Sequence, residues 1–346
     1  MAVVTRATLL LPVLLSAFVS DASGSRRSGE SELAAKSAGR IAFVRGTREL
    51  VVVDSNGRNR RSVVRMPRGY EISVFSWAPS GRRLAVSATT PGFKERLYVV
   101  GANGQGLRRL AQWEDFGAIP VWSPRGTKIA FDKHDDGEHS IWVINVDGSG
   151  ARRLTRPSSL RGPSWSPDGR RIALAGPGGV YVMRANGRQR RLVIRTNLEG
   201  TAPVWSPANK IAFYVGHDLW IANPDGTRRT LAIKDGTETY SPGGLEFSRD
   251  GRKVAFSAHF GVGNGELLIG DVSTWRVRRL TDNNVEDYGP SWSPDGAFLA
   301  FGRYRAGRGG AASGPGDIYV LNADGSGERN LTRGPADEYF PAWAPR

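Results

Sequence analysis

One phrase recurs seven times along this chain of 346 residues: an aromatic anchor, a tight turn, then an apolar triplet. It reads Trp77-Ala-Pro-Ser-Gly, Trp122-Ser-Pro-Arg-Gly, Trp165-Ser-Pro-Asp-Gly, Trp205-Ser-Pro-Ala-Asn, Phe247-Ser-Arg-Asp-Gly, Trp292-Ser-Pro-Asp-Gly and Trp343-Ala-Pro-Arg346. Successive anchors are 45, 43, 40, 42, 45 and 51 residues apart. A period in the forties marks one supersecondary unit that buries its apolar faces only by stacking on copies of itself. Units of that length with four short strands are propeller blades.

The unit can be read strand by strand. The aromatic anchor ends strand A, and Ser-Pro-Asp-Gly supplies the turn: Pro presets φ, Asp bonds back to the main chain and Gly closes it. Strand B begins seven residues after the anchor at Leu84-Ala-Val, Ile129-Ala-Phe, Ile172-Ala-Leu, Val254-Ala-Phe and Leu299-Ala-Phe. It arrives one residue early at Ile211-Ala-Phe, where the turn lacks glycine. Strand C follows as Leu97-Tyr-Val-Val, Ile141-Trp-Val-Ile, Val180-Tyr-Val-Met, Leu219-Trp-Ile-Ala, Leu267-Leu-Ile-Gly and Ile318-Tyr-Val-Leu. These short runs, rich in β-branched and aromatic residues and bounded by Gly, Asp and Asn, signal strands rather than helices. A second turn, such as Asn145-Val-Asp-Gly-Ser-Gly, leads to an outer strand D of the type Arg-Arg-Leu-Thr. Residues 41–64 read as strands B, C and D without an A, and residues 340–346 as an A without successors. Together they make one blade. The expected fold is therefore all-β: a seven-bladed propeller of four-stranded antiparallel blades, closed by the C-terminal strand, with no open sheet edge left to aggregate.

The sequence Trp-Ser-Pro-Asp-Gly, Ile-Ala-Phe, Ile-Tyr-Val, Asn-Ala-Asp-Gly-Ser-Gly, Arg-Leu-Thr resembles the WD-repeat-like propeller repeat of the TolB family of bacterial envelope proteins, over residues 40–346. The resemblance implies a propeller that binds protein partners outside the cytoplasm. TolB proteins carry six blades and a separate α/β domain ahead of them. Here seven blades are expected, preceded by a short Ser/Gly/Arg stretch, so the resemblance extends to the propeller and leaves a Tol-system role open.

The ends and the charge bear on location. Arg6 precedes the apolar run Ala7–Val19, too short to span a bilayer comfortably, and small residues follow at Ser20 and Ala22. Residues 1–22 read as a cleavable signal peptide, 23–39 as a flexible linker and 40–346 as the propeller, with no transmembrane span after cleavage. The chain has no cysteine, which excludes lipoprotein anchoring, and a core of seven stacked sheets does not need disulfides. The net charge is +15, and only seven of the 48 basic residues are lysine. Arginine pairs open strand D at Arg60-Arg61, Arg108-Arg109, Arg152-Arg153, Arg190-Arg191, Arg228-Arg229 and Arg278-Arg279. They predict a basic band on the outer wall, either protecting the edge strands or attracting anionic envelope polymers. No nucleic-acid recognition module is visible.

Against this charge, carboxylates collect five to nine residues ahead of the anchors: Glu71, Asp115, Glu199, Glu238, Glu286 with Asp287, and Asp337 with Glu338. Propeller topology puts the D-to-A connections and B-to-C hairpins on one face, so these groups are expected to ring one mouth of the channel and hold a basic segment of an envelope protein or peptide. The other reading is that each accepts hydrogen bonds from a neighbouring turn. His134, His139, His217 and His259 fall in hairpins of the same face, where some propeller lyases acting on acidic sugars hold a divalent metal. Asp282-Asn283-Asn284 with Glu286-Asp287 reads as a solvated loop more readily than as a calcium site, and Gly307–Gly316 as an extended hairpin. No cysteine nucleophile, G-x-S-x-G elbow, phosphate-cradling loop or H-E-x-x-H is present. No catalytic residue, cofactor or metal is assigned. The leading expectation is a monomeric, non-enzymatic binding scaffold of the cell envelope. The alternative is a secreted carbohydrate-active enzyme resembling a polysaccharide lyase.

Overall fold

The computed structural model describes residues 39–113, 119–135, 138–156, 158–196, 202–216, 218–233, 244–259, 265–306 and 312–345. The expected signal peptide and nearly all of the expected linker lie outside these residues. So do Asp115, Glu199, Glu238, His217 and the first half of Gly307–Gly316.

Seven four-stranded antiparallel sheets form the molecule, each in the order A-B-C-D. Blade 1 is built from both ends of the chain: Glu338–Trp343 as strand A, then Arg40–Arg45, Glu49–Asp54 and Arg61–Arg65. The closing strand is held in register by Ile41 opposite Trp343 and Arg45 opposite Glu338. Blades 2 to 7 begin with strands A at Glu71–Trp77, Val121–Trp122, Arg161–Trp165, Val204–Trp205, Glu246–Phe247 and Asp287–Trp292. The A strands of neighbouring blades touch one another, which makes A the inner strand and D the outer one.

The repeat phrase is explained by how the blades stack. Among the described residues there are seven apolar clusters, one per blade interface, and each contains the anchor of the later blade. The triplet Ile-Ala-Phe splits between two of them. Ile129 and Phe131 pack backward with Trp122 against blade 2, whereas Ala130 faces forward into the cluster of Trp165. The same alternation puts Ala42 with Trp77, Ala85 with Trp122, Ala173 with Trp205, Ala212 with Phe247, Ala255 with Trp292 and Ala300 with Trp343. The period-2 geometry of a strand forces the alternation, and the small central residue leaves room for the next indole. All seven anchors are buried, at 4–8% exposure.

The turns behave as their chemistry dictates. In the A-to-B turn of blade 4, the Ser166 hydroxyl accepts the Arg171 N–H and donates to Asp168, which in turn accepts the Arg170 N–H. The closing glycine is left-handed, as at Gly169 with φ 68°. In blade 5, which lacks it, Asn209 adopts φ 57°, a conformation Asn tolerates better than most residues. The threonine of Arg-Leu-Thr also has a task. The hydroxyls of Thr155, Thr281 and Thr332 accept the N–H groups that open strand C, from Ile141, Leu267 and Ile318.

Candidate functional site

Two rings of hydrogen bonds tie the blades together and frame the channel. In the inner ring, the indole N–H of an anchor donates to the carbonyl just before the preceding blade's anchor: Trp77 to Ala342, Trp122 to Ser76, Trp165 to Val121 and Trp292 to Glu246, at 2.9–3.2 Å. Trp205 turns to Asn209 instead, Phe247 has no N–H, and the Trp343 indole N–H is buried with no partner among the described residues. The residue before the anchor adds a second link. Ser164 accepts the N–H of Trp205, Glu246 that of Trp292, and Ser291 that of Trp343. Glu246 is the one carboxylate at this inner position, and burial pushes its carboxyl up to about 7.

The outer ring accounts for the arginine pairs. In five of the seven blades an arginine of strand D reaches across to a carbonyl in the next blade's C-to-D turn: Arg61 to Ala102, Arg108 to Asp147, Arg152 to Asn186, Arg278 to Ala323 and Asp324, and Arg329 to Ser55 and Asn56. These arginines occupy one register position, opposite the third residue of each strand-C apolar run or its equivalent, such as Val99, Val143 and Ile269. The pairs are thus interblade staples as well as edge charges. Blade 4 has Arg191 at the equivalent position, opposite Val182. There the turn of blade 5 holds Pro224, and a cleft of about 740 Å³ opens between Arg170, Arg184, Arg191 and Asp225.

On the opposite face, the described members of the expected acidic ring divide into two kinds. Glu71 is exposed at the start of blade 2, and Glu286 and Asp337 are half-buried at blades 7 and 1. Asp287 and Glu338 are buried, a departure from an open ring. Asp287 accepts from Arg303 Nε at 2.5 Å, Arg303 Nη2 at 2.8 Å and Asn283 Nδ2 at 2.9 Å. Burial pushes its carboxyl up, against the pull of Arg303. Arg303 also forks onto Glu328 at 2.6 and 2.8 Å and lies over the rings of Phe301 and Tyr319. Glu338 is tied to Arg60, just ahead of strand D of its own blade, and its carboxyl is likewise raised by burial. The spacing ahead of the anchors found all five groups. It could not separate the outward acids from the inward ones, because alternate residues of a strand face opposite ways and the arginines lie elsewhere in sequence.

The oxygen-rich run at 282–287 is folded into the same network. Asp282 pairs with Arg279 at 2.8 Å, and the Asn283 N–H is accepted by buried Glu266. In blade 3, His139 Nδ1 lies 3.0 Å from Asp132, and its ring stands 4.6 Å from that of His134 across the hairpin. Among the described residues, no group of three or more His, Cys, Asp or Glu is arranged to hold a metal ion.

A feature the sequence reading missed lies three residues before the anchors. Strand A carries a bulge there in blades 4, 7 and 1, and the extra residue is left-handed: Gly162 at φ 62°, Gly289 at φ 58° and Phe340 at φ 53°. Two blades use glycine, and the third holds a bulky aromatic that is 54% exposed. A side chain in this conformation costs roughly 1–2 kcal/mol. Aligning Gly162, Gly289 and Phe340 on their anchors would have exposed the anomaly.

Seven four-stranded blades around a channel define a seven-bladed β-propeller. Residues 35–217 match the TolB beta propeller domain (PD40), and the chain belongs to that family. Two relatives illustrate the range. The uncharacterized peptidase YuxL of Bacillus subtilis is 25% identical over 237 residues, covering 62% of this chain and 34% of that protein. The Tol-Pal system protein TolB of Anaeromyxobacter dehalogenans is 35% identical over 131 residues, covering 36% of this chain and 29% of that protein. The matched regions thus span about a third of these relatives' length. Among solved structures, TolB from Acinetobacter baumannii superposes with a TM-score of 0.59 at 18% identity, covering 92% of this chain and 86% of that one. An oligogalacturonate lyase in complex with manganese gives 0.59 at 13%, covering 85% and 84%. At these identities the likeness is one of fold.

Proposed function

We propose that this propeller is a non-enzymatic scaffold that works outside the cytoplasm and holds a basic protein segment against its D-to-A and B-to-C face. One observation carries the reading. Five large apolar side chains are exposed among the described residues, and three of them stand on that face: Phe93 at 65%, Ile119 at 51% and Phe340 at 54%. Exposed aromatic and aliphatic groups beside carboxylates are the makings of a protein-binding surface. Glu71, Glu286 and Asp337 supply the negative charge, and the other ring members, Asp115, Glu199 and Glu238, fall on the same connections in sequence. Membership of a family that includes Tol-Pal system proteins supports an envelope partner. The segment 1–22 supports export, and no helix among the described residues is long and apolar enough to cross a membrane.

The test exploits the chain's own charge. A protein of net charge +15 repels a Lys/Arg-rich peptide unless a local field overrides the global one. Anisotropy titrations with a labelled basic peptide should show binding that weakens as salt rises. Glu71→Gln, Glu286→Gln and Asp337→Asn combined should weaken it, whereas Asp225→Asn on the opposite face should not. Equal affinity across these variants would overturn the reading.

A further inference from the structure

We infer that the junction of blades 7 and 1 is a cation-recognition site that takes a single lysine or arginine side chain, with Phe340 as its outer wall. This deepens the proposed binding of a basic segment and rests on it for biological meaning, though its chemistry can be tested without that segment. Four aromatic rings meet at the junction. Tyr288 and Tyr304 stack at 4.8 Å and 29° between ring planes, Phe340 stands edge-on to Tyr288 at 6.4 Å, and Tyr339 adjoins Phe340 at 6.2 Å. Tyr288 lies flat on Gly302, directly across the sheet, where a Cβ would strike its ring. Tyr288 is therefore seated against the sheet before any ligand arrives.

Three observations point to a ligand. First, the bulge residue is glycine in blades 4 and 7 and phenylalanine only here, so a strained conformation is kept to present an exposed ring. Strain retained by a side chain that stays more than half exposed points to function. Second, the Asp337 carboxylate adjoins Tyr339, and its Oδ1 is buried with no hydrogen-bond partner among the described residues. Third, the phenols share the field of the carboxylates. Tyr339 is pushed up to about 12, first by burial and then by Asp337, and Tyr304 is raised by burial, Glu286 and Asp337. Aromatic faces beside carboxylates attract cations and reject anions. The nearby Arg303 does not fill the site, because its guanidinium is committed to Asp287 and Glu328.

The test uses single-residue probes: Nα-acetyl-arginine amide and its neutral isostere Nα-acetyl-citrulline amide, titrated against the full chain and followed by NMR shifts of the aromatic protons. The arginine probe should bind about two- to fivefold more tightly than citrulline. In Phe340→Gly that preference should vanish while the melting temperature rises, because the strain is relieved. Phe340→Leu keeps the bulk and the strain but not the π face, and should also lose the preference. Asp225→Asn, on the opposite face, should keep it. Equal binding of the two probes by the unmodified chain, or an intact preference in Phe340→Gly, would overturn the proposal. A response to a neutral methyl glycoside equal to that for arginine would replace it with a sugar platform. Success here with no binding of the long basic peptide would reject the peptide reading and leave this site standing. The reverse result would reject the site alone.

Discussion

Replacing Arg303 by methionine keeps most of the side-chain volume but leaves Asp287 fully buried without its cationic partner. Asp287 is 0% exposed and accepts from both Nε and Nη2 of Arg303, whose side chain is 14% exposed, so solvent screens the pair little. Breaking a buried pair by removing one partner costs roughly 3–5 kcal/mol, a large share of a domain's total stability of about 5–15 kcal/mol. The sign of the pH dependence follows from the raised carboxyl. A carboxyl whose folded pKa lies above its unfolded value destabilises the fold once ionised, and this penalty fades as pH falls and the folded form takes up a proton. Loss of Arg303 raises that pKa further, so the deficit of Arg303→Met should be large at pH 7.5 and smaller near pH 5. The double variant Arg303→Met/Asp287→Asn should recover most of it at pH 7.5. Urea denaturation at the two pH values measures all three. A single variant within about 1 kcal/mol of the parent at pH 7.5, or a deficit that grows on acidification, would refute this account of Asp287.

Trp343→Ala, which strips the closing strand of its anchor, should cost roughly 3–5 kcal/mol; an unchanged thermal melt would contradict closure through blade 1. Ala130→Val should cost about 1–3 kcal/mol because Trp165 fills the space it faces, and Ala212→Val, facing the smaller Phe247, should cost less; melting curves of the pair read the difference. Trp122→Phe should lose about 1 kcal/mol with its bond to the Ser76 carbonyl. Arg278→Ala should lower the melting temperature more than Arg191→Ala, since only the former staples its blade to the next; the reverse order would refute the outer ring.

The architecture was legible in the amino-acid sequence because a propeller repeats one local solution, and each copy must carry the same turn residues and the same anchor. Trp, Ser-Pro-Asp-Gly and Ile-Ala-Phe state the strand order, the turn and the interblade packing within ten residues, as from Trp122 to Phe131, so even the split blade could be assembled from Ile41-Ala-Phe and Trp343. Local chemistry also covered the exception in blade 5, where Asn209 stands in for glycine. The site was legible only as a set of positions. Whether a carboxylate ahead of an anchor faces the channel mouth or the sheet interior depends on strand phase and on partners distant in sequence: Arg60 lies 278 residues from Glu338, and Arg278 reaches carbonyls 45 and 46 residues on. The left-handed bulge that sets Phe340 at the rim is likewise a property of how strand A meets strand B. Periodicity determines what is repeated. Which acids are neutralised, which arginines become staples and which aromatic ring is left facing solvent are decided by contacts between blades, where burial and charge pairing act across the whole ring.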